Sequence, residues 1–264
     1  MSLFESIILG LIQGLTEFIP ISSSGHLVIA QYAMSGASEH LFLEWINIGT
    51  VVALMIYFRR RIIDIITTIV HKQDYRLAAA VLIAVTPAGL LGFVLADFIE
   101  SHKFFSSPWV VAVMLIVVGV FLVVIERLPH RSSVDSLEKL SRSRALVIGL
   151  AQAVALIPGT SRSGSTIIAG RLMGLSAAKA AEFSFLASLP IMCGVIAKLL
   201  LKSADRAYFV DNSTALIVAN LAALLSGLWA VGFLMNYLQK HPLRIFGWYR
   251  IGLGVVLITL LLLQ

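Results

Sequence analysis

Long apolar runs alternate with short polar loops along the chain, and the length of the runs predicts membrane-spanning helices. A helix needs about 20 apolar residues to cross a bilayer. Six stretches reach that length: 40–58, 77–97, 108–126, 182–201, 215–238 and 245–263. The pattern therefore predicts an all-α polytopic membrane protein with six transmembrane helices.

Two further apolar stretches, 3–30 and 145–170, are interrupted at their middle by proline, glycine and hydroxyl residues. Irregular backbone is tolerated at membrane depth only where protein buries it or where it lines a water-filled cavity. We therefore predict that each stretch is a re-entrant helical hairpin, which enters and leaves the membrane at one face. A kinked full-length span is the alternative interpretation.

The two interrupted stretches resemble each other at a constant offset of 139 positions. The identical pairs are Gly10 and Gly149, Leu11 and Leu150, Gln13 and Gln152, Ser22 and Ser161, Ser24 and Ser163, Gly25 and Gly164, Ile29 and Ile168, and Ala30 and Ala169. Three predicted spans separate the hairpins, and an odd number inverts the second copy, as in many transporters. We expect one integral membrane domain over 1–264, an inverted repeat with copies at about 1–140 and 141–264.

The composition agrees with a membrane protein. Hydrophobic residues make up 59% of the chain and charged residues only 13%, whereas soluble domains carry about 25% charged residues. So few ionic groups exclude a soluble enzyme and a disordered segment. The single cysteine, Cys193, excludes an intrachain disulfide and a thiolate-rich metal site. The first residues lack a basic segment, so we expect mature sequence rather than a cleaved signal peptide.

The net charge of +6 is concentrated in short loops, where it indicates topology rather than nucleic-acid binding. The loops 59–76 and 127–144 each carry five Lys or Arg residues, Arg131 among them, whereas the loop at 98–107 carries only Lys103. The positive-inside rule places the first two loops in the cytoplasm. Hairpin 3–30 would then enter from outside and hairpin 145–170 from the cytoplasm.

Ionisable residues inside a membrane are costly and by default mark a functional site. Glu17, His26 and Arg162 are three such residues in the two hairpins. The Arg162 guanidinium matches phosphate oxygens, and half-helices that begin at the serine- and glycine-rich turns favour an anion. Glu17, with Gln13 one turn earlier, offers oxygen ligands for Mg²⁺, which usually bridges to substrate phosphates. The set predicts a site for an anionic phosphate ester.

A serine hydroxyl close to His26 in the sequence suggests that the site hydrolyses its substrate. Ser22 or Ser23 can act as a nucleophile, and His26 can exchange a proton near neutral pH. Each residue also has a plain structural interpretation: a helix cap for the serines, an ion pair with Arg162 for Glu17, and an interfacial position for His26. Their convergence in two related hairpins favours the catalytic interpretation.

Residues 13–26, QGLTEFIPISSSGH, and residues 158–164, PGTSRSG, resemble the two signatures of the undecaprenyl-diphosphate phosphatase family, the BacA/UppP type. The resemblance implies hydrolysis of undecaprenyl diphosphate to undecaprenyl phosphate and phosphate, which recycles the lipid carrier for peptidoglycan synthesis and confers bacitracin resistance. It also implies a divalent cation, Mg²⁺ with Ca²⁺ as the alternative. The expected location is the bacterial inner membrane, with the active site facing the periplasm or outer leaflet.

The resemblance assigns roles residue by residue. The catalytic candidates are Glu17, Ser23, His26 and Arg162, and the metal candidates are Glu17 and Gln13. The substrate-binding candidates are Ser22, Ser24, Gly25, Thr160, Ser161, Ser163, Gly164 and Thr166. Many family members carry Glu where Gln13 stands, and a neutral amide binds a cation more weakly. Ser23 is the preferred nucleophile with His26 as its acid/base partner; a water activated at His26 or Glu17 is the alternative.

A secondary transporter or lipid flippase on the same inverted-repeat frame is the alternative function, because half-helix ends that bind an anion serve a carrier equally well. A carrier needs Arg162 but no base positioned beside a hydroxyl. A structural membrane subunit leaves Glu17 and Arg162 unexplained. The expected partners are a polyprenyl diphosphate and membrane lipid, without nucleic acid, and a homo-oligomer is left open.

Overall fold

The structure, a computed structural model, describes residues 2–34, 40–128 and 133–263, so Arg131 lies outside the described residues. The regular elements in these ranges are all helical. They are α1 (Leu3–Phe18), α2 (Ser23–Met34), α3 (His40–Trp45), α4 (Asn47–Tyr57), α5 (Arg59–Lys72), α6 (Arg76–Val94), α7 (Ala96–Ser101), α8 (Pro108–Ile125), a 3₁₀ turn (Leu137–Lys139), α9 (Arg142–Val154), α10 (Arg162–Leu172), α11 (Ala177–Leu201), α12 (Ser203–Asp211), α13 (Ser213–Tyr237) and α14 (Arg244–Leu262).

Within the described residues, six helical segments are long and apolar enough to cross a membrane. They are His40–Tyr57, Arg76–Val94, Pro108–Ile125, Ala177–Leu201, Ser213–Tyr237 and Arg244–Leu262. These match the six predicted spans, so the prediction of an all-α protein with six membrane-crossing helices is confirmed. The first span comprises both α3 and α4, which meet at Ile46.

The two interrupted stretches form helix–loop–helix units. The first consists of α1 and α2, with 16 and 12 residues, and the second of α9 and α10, with 13 and 11 residues. Each of these four helices is shorter than the roughly 20 residues that cross a bilayer. That both units re-enter at one face of the membrane stays a prediction.

The two halves of the chain pack reciprocally. Helix α1 lies along α13, and its counterpart α9 lies along α6. A Cβ added at Gly10 would overlap the carbonyl oxygen of Ala219, and one added at Gly149 would lie 2.6 Å from that of Ala84. Small residues let two membrane helices approach at backbone distance. The same glycine of each copy therefore seats a hairpin against the opposite half; inversion of the second copy across the membrane stays a prediction.

Ion pairs join the basic loops at one end of the molecule. Arg61 lies 2.6 Å from the carboxylate of Glu138 and 3.0 Å from that of Glu182, which also pairs with Lys179 at 2.8 Å. Burial raises the pKa of Glu138, but hydrogen bonds from its backbone and from Arg61 outweigh that effect and leave the pKa below its ordinary value. The loops 59–76 and 127–144, which their charge assigns to one membrane face, are thus in direct contact.

We expect Gly10→Ala to lower the melting temperature of the detergent-purified protein. The added methyl group meets the backbone of α13, which cannot rotate away, and overpacking of this kind costs about 1–3 kcal/mol. Gly252→Ala on α14 is the matched control, because a Cβ there has no neighbour within 4 Å. Thermal unfolding followed by fluorescence makes the comparison, and equal melting temperatures for the two variants would contradict the packing argument.

Candidate active site

The turns of the two hairpins share one backbone conformation. Ser22 and Ser161, which are 139 positions apart, have positive φ angles of 75° and 68°, a conformation that is uncommon outside glycine and often found at functional sites. Each hydroxyl accepts a hydrogen bond from the backbone N–H three residues later, at Gly25 (3.4 Å) and Gly164 (3.2 Å). The repeated serines therefore cap α2 and α10 in the same way.

The carboxylate of Glu17 is the centre of the polar cluster. Arg162 Nη2 donates to Oε1 at 2.6 Å, and Ser23 Oγ donates to Oε2 at 2.6 Å. Ser23 and Arg162 occupy equivalent positions of the two repeats, so equivalent residues from both turns converge on one carboxylate. The side chains of Glu17 and Arg162 are 12% and 22% exposed. The acidic and basic hairpins therefore meet in a mostly buried ion pair.

A cavity of about 280 Å³ lies beside this ion pair. Its polar lining comes from the two turns and from α4 and α9: Glu17, Ser22, Ser23, Ser24, Asn47, Gln152, Ser161 and Arg162. Its apolar lining comes from α6, α11 and the end of α9: Ala88, Ala155, Leu156, Ile157, Ile191, Met192 and Val195. A cavity with these two kinds of wall suits an amphipathic molecule with an anionic head group.

Several predicted site residues lie behind the cavity lining. Gly25, Thr160, Ser163, Gly164 and Thr166 are buried and do not line the cavity. The Thr166 hydroxyl contacts the Arg162 carbonyl at 2.7 Å and the hydroxyl of Ser184 on α11 at 2.5 Å. These residues shape the turns and do not reach into the cavity.

Gln13, the predicted second metal ligand, is buried one helical turn before Glu17. Its amide Nε2 donates to the Glu17 carboxylate at 3.1 Å and to Asn47 Oδ1 at 2.7 Å. Asn47 lies within the predicted span 40–58 and was not among the predicted site residues. A polar side chain in an apolar span is the only feature of the sequence that could have indicated it. The amide pair thus extends the polar cluster from the first hairpin to α4.

His26 forms its hydrogen bonds with Ser22 and Tyr249. Its Nδ1 is 2.7 Å from the carbonyl oxygen of Ser22, and its Nε2 is 2.7 Å from the hydroxyl of Tyr249. A carbonyl can only accept, so Nδ1 carries the proton of the neutral ring and Nε2 accepts from the tyrosine. The structure therefore pairs Ser23 with Glu17, whereas the sequence paired it with His26; an acid/base role for His26 stays a prediction.

Arg250 is a fourth ionisable residue at the site, which the sequence analysis did not select. Its side chain is fully buried, and it donates to five backbone carbonyls, those of Pro20, Met114, Leu115, Gly159 and Thr160. It lies within the predicted span at 245–263, where a charged residue is itself a signal of function. The same rule that selected Glu17 and Arg162 would have found it.

The oxygen atoms around Glu17 suit a hard cation. They belong to the Glu17 carboxylate, the Ser23 hydroxyl and the amide of Asn47, whereas Gln13 directs its amide nitrogen at the carboxylate. In the part of the chain that the structure describes, no group of three or more His, Cys, Asp or Glu residues forms a metal cluster. Mg²⁺ is commonly held by one or two carboxylates together with substrate phosphates. The donor set therefore fits a cation whose coordination the substrate completes.

Comparison with known proteins places these features in one family. A family model described as "Bacitracin resistance protein BacA" matches residues 6–256. The chain is 37% identical over 263 residues to Undecaprenyl-diphosphatase 3 of Acinetobacter baylyi, with 98% of each chain covered. It is 39% identical over 258 residues to an undecaprenyl-diphosphatase of Acinetobacter baumannii, covering 96% of this chain and 94% of the relative.

A third relative, the undecaprenyl-diphosphatase of Nitrosomonas europaea, is 36% identical over 258 residues, with 97% of this chain and 93% of the relative covered. The matches extend over nearly the whole length of each protein and include both hairpins. The chain therefore belongs to the bacitracin resistance protein BacA family.

Proposed function

We propose that this protein hydrolyses undecaprenyl diphosphate to undecaprenyl phosphate and inorganic phosphate. The observation that carries the proposal is a cavity in a membrane protein where a carboxylate, a hydroxyl and a guanidinium meet beside an apolar wall. Relatives along the whole chain are named undecaprenyl-diphosphatase. The product is the lipid carrier used in peptidoglycan synthesis, and its recycling accounts for bacitracin resistance.

The diphosphate head group binds at the polar wall. Arg162 supplies a guanidinium fork that matches phosphate oxygens, and the first N–H groups of α10 favour an anion. A bound phosphate replaces Glu17 as the partner of Arg162, which frees the carboxylate for chemistry. The volume of about 280 Å³ is at the lower end for small-molecule sites. The cavity therefore holds the head group, while the polyprenyl chain continues from the apolar wall into lipid.

Ser23 is the nucleophile in this proposal, and Glu17 is its base. Ser23 Oγ already donates to the Glu17 carboxylate at 2.6 Å, within the range for general-base catalysis. The Oγ–phosphorus bond forms at the terminal phosphate, the anhydride bond breaks, and undecaprenyl phosphate leaves while the proton passes to Glu17. Water then hydrolyses the phosphoserine and restores Ser23. Direct attack by a water activated at Glu17 or His26 is the alternative.

A divalent cation, Mg²⁺ with Ca²⁺ as the alternative, completes the proposed site. Glu17 would hold it, together with oxygen atoms of Ser23 and Asn47; Gln13, the second predicted ligand, would contribute its oxygen only with its amide turned over, because Nε2 now faces the carboxylate. When bound, the cation offsets the negative charge of the diphosphate. The amide of Gln13 contributes no charge, so Glu17 is the main ligand of this set.

Phosphate release from a polyprenyl diphosphate by the detergent-purified protein tests the function. We expect release that EDTA abolishes and Mg²⁺ restores, and a fall of about 10³-fold in Arg162→Ala, since a phosphate-binding arginine contributes on this scale. Arg60→Ala, which removes an exposed positive charge from α5, is the control and should keep full activity. A folded protein that releases no phosphate across several cations and lipids would contradict the proposal and favour the transporter or flippase.

The nucleophile is tested by Ser23→Ala and the base by Glu17→Gln. We expect each to lower kcat by at least about 10²-fold, the lower range for loss of general-base catalysis. Ser165→Ala on α10 is the matched control, because its hydroxyl bonds back to the Ser161 carbonyl outside the cavity lining. Activity is measured as initial rates at saturating substrate. Full activity of Ser23→Ala would contradict the phosphoserine step and favour direct attack by an activated water.

We further propose that the protein lies in the bacterial inner membrane and that the cavity faces the outer leaflet. The support is the charge of the loops 59–76 and 127–144, which assigns their end of the molecule to the cytoplasm. A short-chain, water-soluble diphosphate added to intact spheroplasts should be hydrolysed without permeabilisation. Hydrolysis in inverted vesicles alone would reverse the orientation of the site.

A further inference from the structure

Arg250 joins the two interrupted hairpins from behind the cavity. Its guanidinium and Nε donate to the carbonyl of Pro20 in the first turn, to those of Gly159 and Thr160 in the second, and to Met114 and Leu115 on α8, at distances from 2.7 to 3.3 Å. The side chain is 0% exposed. A buried charge is costly unless hydrogen bonds satisfy it, and here backbone carbonyls from both turns do so.

The bonds of Arg250 also fix the direction of the peptide groups in the second turn. Thr160 directs its carbonyl to Nη2 at 3.1 Å, and the N–H of the same trans peptide, that of Ser161, points the opposite way. Ser161 and Arg162 line the cavity, whereas Arg250 does not. Holding the carbonyl therefore turns the Ser161 N–H away from Arg250, toward the side where the phosphate binds.

Close packing and a hydrogen bond also restrict the backbone of the second turn at Gly159. Gly159 has a φ of 85°, and a Cβ there would lie 2.5 Å from the carbonyl oxygen of Val111. Its N–H donates to Ser24 Oγ of the first turn at 3.4 Å. The turn is thus seated between α8, the first hairpin and Arg250, and its anion-binding geometry depends on all three.

Tyr249, the neighbour of Arg250 on α14, contacts His26 of the first hairpin. Its hydroxyl lies 2.7 Å from His26 Nε2, while Nδ1 of the same ring donates to the Ser22 carbonyl. The two contacts fix both the ring orientation and the tautomer of His26. Consecutive residues of the last helix therefore contact a side chain of the first hairpin and the backbone of both turns.

We propose that Tyr249 and Arg250 are positioning residues for the hydrolysis of the lipid diphosphate. Arg250 holds the Thr160 carbonyl so that the Ser161 N–H faces the phosphate, and Tyr249 holds His26 in one orientation. The inference rests on the proposed function for its chemistry, but its binding component, the affinity of the second turn for an anion, is independent of turnover.

Arg250→Lys tests the first part. Lysine keeps the charge but cannot donate to five carbonyls in the planar arrangement of a guanidinium. We expect kcat/KM for a polyprenyl diphosphate to fall about 10²-fold, the scale of an approximately 1 Å misplacement at a catalytic site. The dissociation constant of inorganic diphosphate, measured by calorimetry, should rise. Arg171→Lys, at an arginine whose side chain is 11% exposed and lies 3.8 Å from Glu126 outside the cavity, is the control and should change neither quantity.

Tyr249→Phe tests the second part and removes a single hydroxyl. We expect kcat to fall about tenfold, the lower end of the effect for hydrogen-bond partners of metal-ligating histidines, because the expectation takes His26 in its predicted acid/base role. KM and diphosphate affinity should be unchanged because the phosphate-binding turn is untouched. Tyr75→Phe, in the exposed segment between α5 and α6, is the control. A loss of thermal stability without this split between kcat and KM would indicate a merely structural role and overturn the proposal.

The outcomes separate the two hypotheses. A folded Arg250→Lys variant with unchanged kcat/KM and diphosphate affinity would overturn the positioning role of Arg250. If that variant cannot be purified folded, Tyr249→Phe decides: a selective fall in kcat supports the proposal, and unchanged kcat overturns it. Wild-type protein that binds diphosphate, with affinity reduced in Arg250→Lys, but never releases phosphate would contradict the proposed function while leaving the positioning of the turn intact.

Discussion

The structure depends on satisfying the polar backbone of two turns that interrupt helices in a membrane protein. A backbone N–H or C=O group that is buried away from water needs a hydrogen-bond partner within the protein. Ser22 and Ser161 accept from the N–H groups at the starts of α2 and α10. Arg250 donates to carbonyls of both turns. These partners help to hold the two turns beside each other.

The arrangement of the candidate active site follows from the same hydrogen bonds. Because the caps hold both turns in one conformation, equivalent positions of the two repeats project toward the same point, and there Ser23 and Arg162 both contact Glu17. The turns must be polar for structural reasons, and that polarity supplies the hydroxyls and N–H groups that would bind phosphate in the proposed function. The structural and the proposed catalytic roles of these residues cannot be separated by inspecting one hairpin alone.

The sequence was sufficient for the features that depend on local pattern. Apolar run length predicted the six spans, and the residues that interrupt 3–30 and 145–170 located both turns. The offset of 139 identified Gly10 and Gly149, although their use as contact points with Ala219 and Ala84 required the structure. The reason is that the partner helices α13 and α6 lie far away along the chain.

Contacts between distant segments were the part that the sequence could not supply. Ser23 precedes His26 by three residues, which suggested a pair, yet the structure directs Ser23 to Glu17 and His26 to Tyr249. Side-chain direction at the start of a helix decides this, and it depends on the positive φ of Ser22. Arg250 was detectable as a charge in an apolar span, but its carbonyl partners come from three separate segments.

The repeat is not symmetrical at the cavity, and this asymmetry gives the site a direction. The position of Glu17 in the first copy corresponds to Leu156 in the second, and both residues line the cavity. One copy thus contributes a carboxylate where the other contributes a hydrocarbon side chain. An amphipathic molecule can align its head and tail with these two walls in only one way. The difference between Glu17 and Leu156 would therefore fix the direction in which the lipid lies in the cavity.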